Sequence, residues 1–309
     1  AVIWFEHHKN TISATTQEGY KYTLRILQDY FGHRKLADIK VHDIEEFLLH
    51  MKKNEASDSL ITKLRGMLCQ IFNKAVANDL VVKNPAAHLD KMKRAPKKPR
   101  ESFTRDEVDK MMKELPDNKI GWSIRLLLFT GMRPGEILGL EPRHIAKDGS
   151  WINIEQATVK VKGTTEIGPP KTVDSYRTVP VPELVRYCAR NLRNTDKKFI
   201  WDSPKKPGHP CNESYFRTLF KEALAGIEGV RVLTPYNCRH TCISHLVALG
   251  VDPITITSIV GHADTDMINE VYAHPLEHAR QDAIKRFDDA FSNRQGDTQA
   301  RVLQFVKSS

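Results

Sequence analysis

The chain predicts a mainly α-helical (α+β) protein in two units, the second carrying a small antiparallel sheet. Three observations carry that expectation. Apolar residues recur at helical spacing across most of 13–90 and again from about 183. β-Branched runs are confined to the stretch between Trp151 and Val181. A proline- and lysine-rich tract at 91–101 divides the two regions, and 309 residues exceed what one hydrophobic core usually serves.

Residues 1–12 read as the remnant of an upstream segment, because the chain opens on Ala1 and not Met. Thr15 or Thr16 can cap a first helix carrying Tyr20, Leu24, Leu27 and Phe31, with Gly32 at its C-terminal end. Asp43 can cap a second helix through Ile44, Phe47 and Leu48. A third, from about Ser57 to Asn78, sets Leu60, Leu64, Leu68, Ile71, Phe72 and Ala75 along one stripe, and Asn84-Pro85 ends it. Together these make a helical unit over 13–90. Prolines then keep 91–101 extended and its cations keep it solvated, as befits an interdomain linker. Lys91, Lys93, Arg94, Lys97, Lys98 and Arg100 can track a phosphate backbone there, or simply form a flexible joint.

The second unit spans 102–291. It opens with a capping box, Thr104 to Glu107, followed by an apolar helix from Trp122 to about Phe129 that Arg125 interrupts. Pro134 fits the first turn of the next helix, with Ile137, Leu138 and Leu140 packed behind it. Trp151–Ile154, Thr158–Val161 and Thr178–Val181 read as strands, broken by Gly163 and Gly168. Helices return from about Glu183, and the last strong one runs from Pro275 to about Phe291. Residues 292–309 form a tail whose apolar patch, Val302 to Val306, is either a local strand or a piece that docks on a neighbouring subunit.

A net charge of +9 and a pI near 9.2 fit a polyanionic partner, or a merely solvated basic surface. No apolar run approaches the roughly 18 residues of a membrane span, and no signal sequence opens the chain. Five scattered cysteines suit a reducing cytosol. Cys238, Cys242 and His245 can share a helix face, but no CxxC or HExxH motif supports zinc, so buried thiols are the preferred reading. We expect neither metal nor cofactor.

The chemistry concentrates in four separated segments: Thr130 to Glu136, Pro169 to Thr172, Tyr236 to Thr241, and Gly261-His262 followed by Tyr272. Arg133 sits at a helix start, where guanidinium geometry and free N–H groups both suit phosphate; a surface-turn arginine is the plain alternative. Glu136, three residues on, can orient that guanidinium or merely cap the helix. Lys171 lies between strand-like segments, placed to protonate a departing oxygen or to keep a hairpin edge soluble. Arg239, three residues after Tyr236 on one helix face, sits where the macrodipole disfavours a cation, which hints at a ligand for its charge. His240 reads better as a core histidine than as a catalyst. Tyr272 alone would be a packed aromatic. With its unperturbed pKa of about 10, it needs neighbouring cations such as Arg133, Arg239 and His262 to attack phosphorus.

In their order, spacing and strand–helix context these segments resemble the tyrosine recombinase (phage integrase) family, most of all the integrases of conjugative transposons and temperate phages. The helical unit resembles that family's core-binding domain. The resemblance implies that the two domains clamp duplex DNA. It makes Tyr272 the nucleophile of a 3′-phosphotyrosyl link and gives the scissile phosphate to Arg133 and Arg239. Lys171 would protonate the 5′ oxygen, His262 would hydrogen-bond the phosphate, and Glu136 would support the first arginine. One departure stands out: where the family usually has histidine or lysine, this chain has Tyr236. A phenol is a poor proton acceptor near neutral pH, so the general base is left open and Tyr236 becomes a rival nucleophile.

The implied partners are double-stranded recombination sites and further copies of the chain, a dimer per site and a tetramer in the synapse. An excisionase or DNA-bending accessory factor fits alongside, and no membrane is involved. The implied setting is the bacterial cytosol. Competing readings are a type IB topoisomerase-like enzyme, a catalytically silent DNA-binding module, and a zinc nuclease built on Cys238 and Cys242.

Overall fold

The computed structural model describes residues 1–89, 101–161, 163–170 and 175–261. The chain divides into two compact units, Ala1–Pro99 with Val159–Thr164, and Arg100–Thr158 with Thr165–Ser309. The linker cations Lys91 to Arg100 lie outside the described residues, as do Lys171, His262, Tyr272, the expected helix from Pro275 and the tail.

In the first unit, helices α1 (Val2–His8), α2 (Ala14–Phe31), α3 (Val41–Lys53) and α4 (Asp58–Val76) share one apolar core. Leu24, Leu27 and Phe31 enter it from α2, Ile44, Phe47 and Leu48 from α3, and Leu64, Leu68, Ile71 and Phe72 from α4. The helix starts differ from the sequence reading. Ser13 caps α2, its hydroxyl accepting the Thr16 amide, because the helix begins earlier than Thr15. Lys40 occupies the cap position of α3, and Asp43 lies in the first turn instead. Its carboxylate reaches back to accept the Lys40 amide at 2.7 Å and Arg34 Nη1 at 2.8 Å. An acid is as well placed there, where free N–H groups and the positive dipole end coincide. Residues 1–12, expected as a remnant, carry α1; Phe5 is 4% exposed within the same core.

The second unit holds α5 (Arg105–Glu114), α6 (Lys119–Thr130), α7 (Pro134–Leu138), α8 (Arg186–Arg193), α9 (Glu213–Ala225), α10 (Pro235–Ala248) and α11 (Pro253–Val260). Helix α6 is its axis: Ile124, Leu126, Leu127 and Leu128 are buried, and it packs against α8, α9 and α10. Arg125 is tolerated inside this apolar run because its guanidinium donates to the carbonyls of Met112, Leu115 and Pro116 at the end of α5. No described helix is long and apolar enough to cross a membrane.

Strands β1 (Trp151–Ile154) and β4 (Arg177–Pro180) pair antiparallel, with Ile152 opposite Val179 and Ile154 opposite Arg177. A second pair joins β2 (Ala157–Val161) to β3 (Thr164–Gly168). Strand β3 escaped the sequence reading because both of its flanking glycines looked like breaks. Gly163 in fact supplies the left-handed turn before it, at φ 83°, and Gly168 is its last residue.

The start of the second unit is fastened to α10. Asn237 Nδ2 donates to the Glu101 carbonyl at 2.8 Å, and the Phe103 amide donates to Thr241 Oγ1 at 2.9 Å. Alongside, Arg231 donates to Glu107 through Nε at 2.9 Å and Nη2 at 2.7 Å, and to the Ser102 carbonyl at 2.6 Å. Hydrogen bonding from Arg231 holds the Glu107 carboxyl at about 2, against an ordinary 4.5. A carboxyl depressed on folding adds stability above its ordinary value and loses it as pH falls. Glu107→Gln is therefore expected to lower the unfolding midpoint near neutrality and to flatten its fall between pH 4.5 and about 2, measured by thermal denaturation across pH.

A candidate phosphate-binding active site

Helix α6 stops at Gly131, whose φ of 62° lies in the left-handed region. A Cβ at this position would sit 2.9 Å from Val260 Cγ1 and 3.3 Å from Cys242 Sγ, so only glycine lets the turn close against α10 and α11. The chain then passes buried Met132 to Arg133, the cap residue of α7, with Pro134 in the first turn. Glu136 does both jobs weighed for it. Its Oε2 accepts the Arg133 amide at 2.9 Å, capping the helix, and its Oε1 accepts Arg133 Nη1 at 2.8 Å, orienting the guanidinium.

A second arginine grips the same carboxylate. Arg177, at the start of β4, donates Nη1 to Oε1 at 3.0 Å and Nη2 to Oε2 at 2.9 Å. Its Nε donates to the Ile259 carbonyl at 2.9 Å, in the last turn of α11. Burial pushes the Glu136 carboxyl up, but hydrogen bonding and charge attraction from Arg177, with smaller contributions from Arg133, outweigh it and the net direction is down. The sequence reading missed Arg177. A signal existed: strand alternation puts 177 on the same face as buried Val179, and an arginine on a buried face requires hydrogen-bond acceptors, an acid among the candidates.

Arg239 is 1% exposed. It lies beyond the first turn of α10, which starts at Pro235, so the dipole at its own helix start is not what its charge answers. Nη1 donates to the Gly131 carbonyl at 2.6 Å and Nη2 to the Gly261 carbonyl at 3.4 Å. Both glycines terminate helices, α6 and α11, whose C-terminal ends carry partial negative charge. Gly261 has φ 92°, and a Cβ on it would lie 3.4 Å from Arg177 Nη1 and 3.5 Å from Arg133 Nη1. Three guanidiniums thus gather around the residue that directly precedes His262. Arg133 and Arg177 share the Glu136 carboxylate and Arg239 rests on two helix ends, a gathering of guanidiniums that suits a phosphodiester.

Tyr236 and Arg239 lie three residues apart on α10, Tyr236 46% exposed and Arg239 buried. His240 is half-buried. Cys238 and Cys242 lie in the interior and burial pushes both thiols up, the opposite of what a zinc-binding thiolate needs. Among the described residues, no cluster of three or more His, Cys, Asp or Glu is placed to hold a metal.

Residues 101–278 match the Phage integrase family, and residues 1–92 match the Phage integrase central domain. The chain belongs to the phage integrase family. Within it, the chain is 24% identical over 290 residues to a tyrosine recombinase of Thermosipho africanus, covering 91% of this chain and 94% of the relative. It is 25% identical over 301 residues to the transposase from transposon Tn916 of Enterococcus faecalis, covering 90% and 74%. The fold matches that of the Tn1549 transposon integrase in complex with a circular intermediate DNA, at a TM-score of 0.79 and 22% identity, over 91% of this chain and 96% of that one.

Gly131→Ala tests the helix stop on which the site is built. The left-handed backbone alone costs about 1–2 kcal/mol for an L-residue, and contact with Val260 adds to it. A lowered thermal unfolding midpoint is expected.

Proposed function

We propose that the chain is a tyrosine-type, site-specific DNA recombinase that mobilises a conjugative transposon or prophage by excision and integration. The observation that supports this most is the convergence of Arg133 and Arg239 on Gly261, next to His262. Two guanidiniums from motifs about a hundred residues apart would then share one phosphate.

In this reading the Tyr272 oxygen attacks the scissile phosphorus, the P–O5′ bond breaks, and a 3′-phosphotyrosyl link remains. Lys171 gives a proton to the departing 5′ oxygen, and His262 hydrogen-bonds the phosphate. Glu136 orients Arg133, and Arg239 is braced by two helix ends. The phosphotyrosyl bond conserves the energy of the broken phosphodiester, so a 5′-hydroxyl from the partner duplex rejoins it by the reverse step. The acceptor of the phenolic proton is left open by Tyr236. The cations of 91–100 follow the DNA backbone, a dimer occupies each site, and a tetramer joins two sites. The work is done in the bacterial cytosol, where the free thiols of Cys69, Cys188, Cys211, Cys238 and Cys242 persist.

A nicked suicide substrate that traps the covalent adduct provides the test. Tyr272→Phe is expected to bind DNA and form no adduct; an adduct in that variant would move the nucleophile elsewhere. Arg133→Ala or Arg239→Ala is expected to slow cleavage by about 10²-fold or more. Rejoining between two duplex sites, as opposed to relaxation of supercoils alone, separates recombination from topoisomerase action. DNA affinity is expected to fall with salt at a log–log slope of several units, measured by titration.

A further inference from the structure

The Glu136 carboxylate is 2% exposed, and two arginines divide it. Arg177 takes one lone pair on each oxygen, and Arg133 takes the remaining two through its own amide and a single guanidinium nitrogen. Arg133 is therefore held to the acid by one prong of its fork. Remove Arg177, and the buried carboxylate has two vacated acceptor sites, little access to water, and Arg133 as its nearest cation. The lowest-energy response is for the Arg133 guanidinium to swing into a two-pronged pair with Glu136, since an unpaired buried charge is costly.

We propose that Arg177 is a positioning residue for strand cleavage. By saturating Glu136 it keeps the Arg133 guanidinium turned toward the phosphate, and by holding the Ile259 carbonyl it fixes the end of α11 that leads to His262. The inference rests on the recombinase reading above and adds a residue to it. A buried ion pair is weak evidence for stability in itself, so stability alone does not account for so complete a set of hydrogen bonds.

The test compares Arg177→Met, Arg177→Lys, Glu136→Gln and the double variant Arg177→Met with Glu136→Gln. Covalent adduct formation on a suicide substrate is followed in single turnover, beside DNA affinity and thermal unfolding, with every variant assayed well below its unfolding midpoint. Arg177→Met is expected to cleave about 10²-fold more slowly while binding DNA as the wild type does. The double variant is expected to recover a large part of that loss, because a neutral amide no longer captures Arg133. Arg177→Lys, which restores charge without the planar fork, falls between the two. Wild-type cleavage by Arg177→Met would overturn the proposal, as would an equal loss in the single and double variants. If Arg177→Met does not accumulate as folded protein, Arg177→Lys and the double variant decide by the same criteria. Absence of an adduct with the wild-type chain would instead overturn the recombinase reading itself, before any variant is compared.

Discussion

Charge neutralisation inside a water-poor site constrains everything around it. Arg133 and Arg177 come from a helix cap and a strand start more than forty residues apart, and they meet on the single buried carboxylate of Glu136. Without that acid, two guanidiniums this close would repel each other; without both arginines, the acid would be stranded. The position of β4, the entry angle of α7 and the end of α11 are all tied to this one group.

Arg239 meets the same difficulty with backbone carbonyls. Its guanidinium rests on carbonyls at the ends of α6 and α11, so helix dipoles stabilise the cation. Two routes to burying an arginine therefore coexist in one site. The acid fixes one guanidinium in place, and the helix ends hold another through their partial negative charge. Glycine suits the points where those helices stop, because Gly131 and Gly261 both take positive φ and the surroundings of Gly131 leave no room for a Cβ.

Much of this was legible in the sequence, for reasons that differ by element. Helices α2, α3, α4, α6 and α10 announce themselves through apolar stripes or capping residues, since a helix must hide one face. Arg133 and Glu136 stood out because Gly and Pro mark the turn around them, and Arg239 because a cation near a helix start is unusual. What stayed hidden depended on partners far away in sequence. Arg177 is unremarkable until its place on the buried face of β4 is known, and β3 was hidden by the glycines at its two ends, which looked like breaks. Asp43 was read as a cap because a carboxylate satisfies amides equally well from the cap or from the first turn. Residues 1–12 were read as a remnant because the chain opens on Ala1, a feature that says nothing of the α1 helix or of Phe5 in the core.

The hydrogen bonds that fasten Glu101 and Phe103 to α10 carry an engineering consequence. Those few residues belong structurally to the helix that bears Arg239, although in sequence they follow the basic linker. A chimaera that borrows its N-terminal half from a relative keeps this brace when the splice falls ahead of Glu101. Crossing over after Phe103 swaps in foreign residues whose contacts to Asn237 and Thr241 have to be rebuilt, and the arginine on the same helix inherits the mismatch.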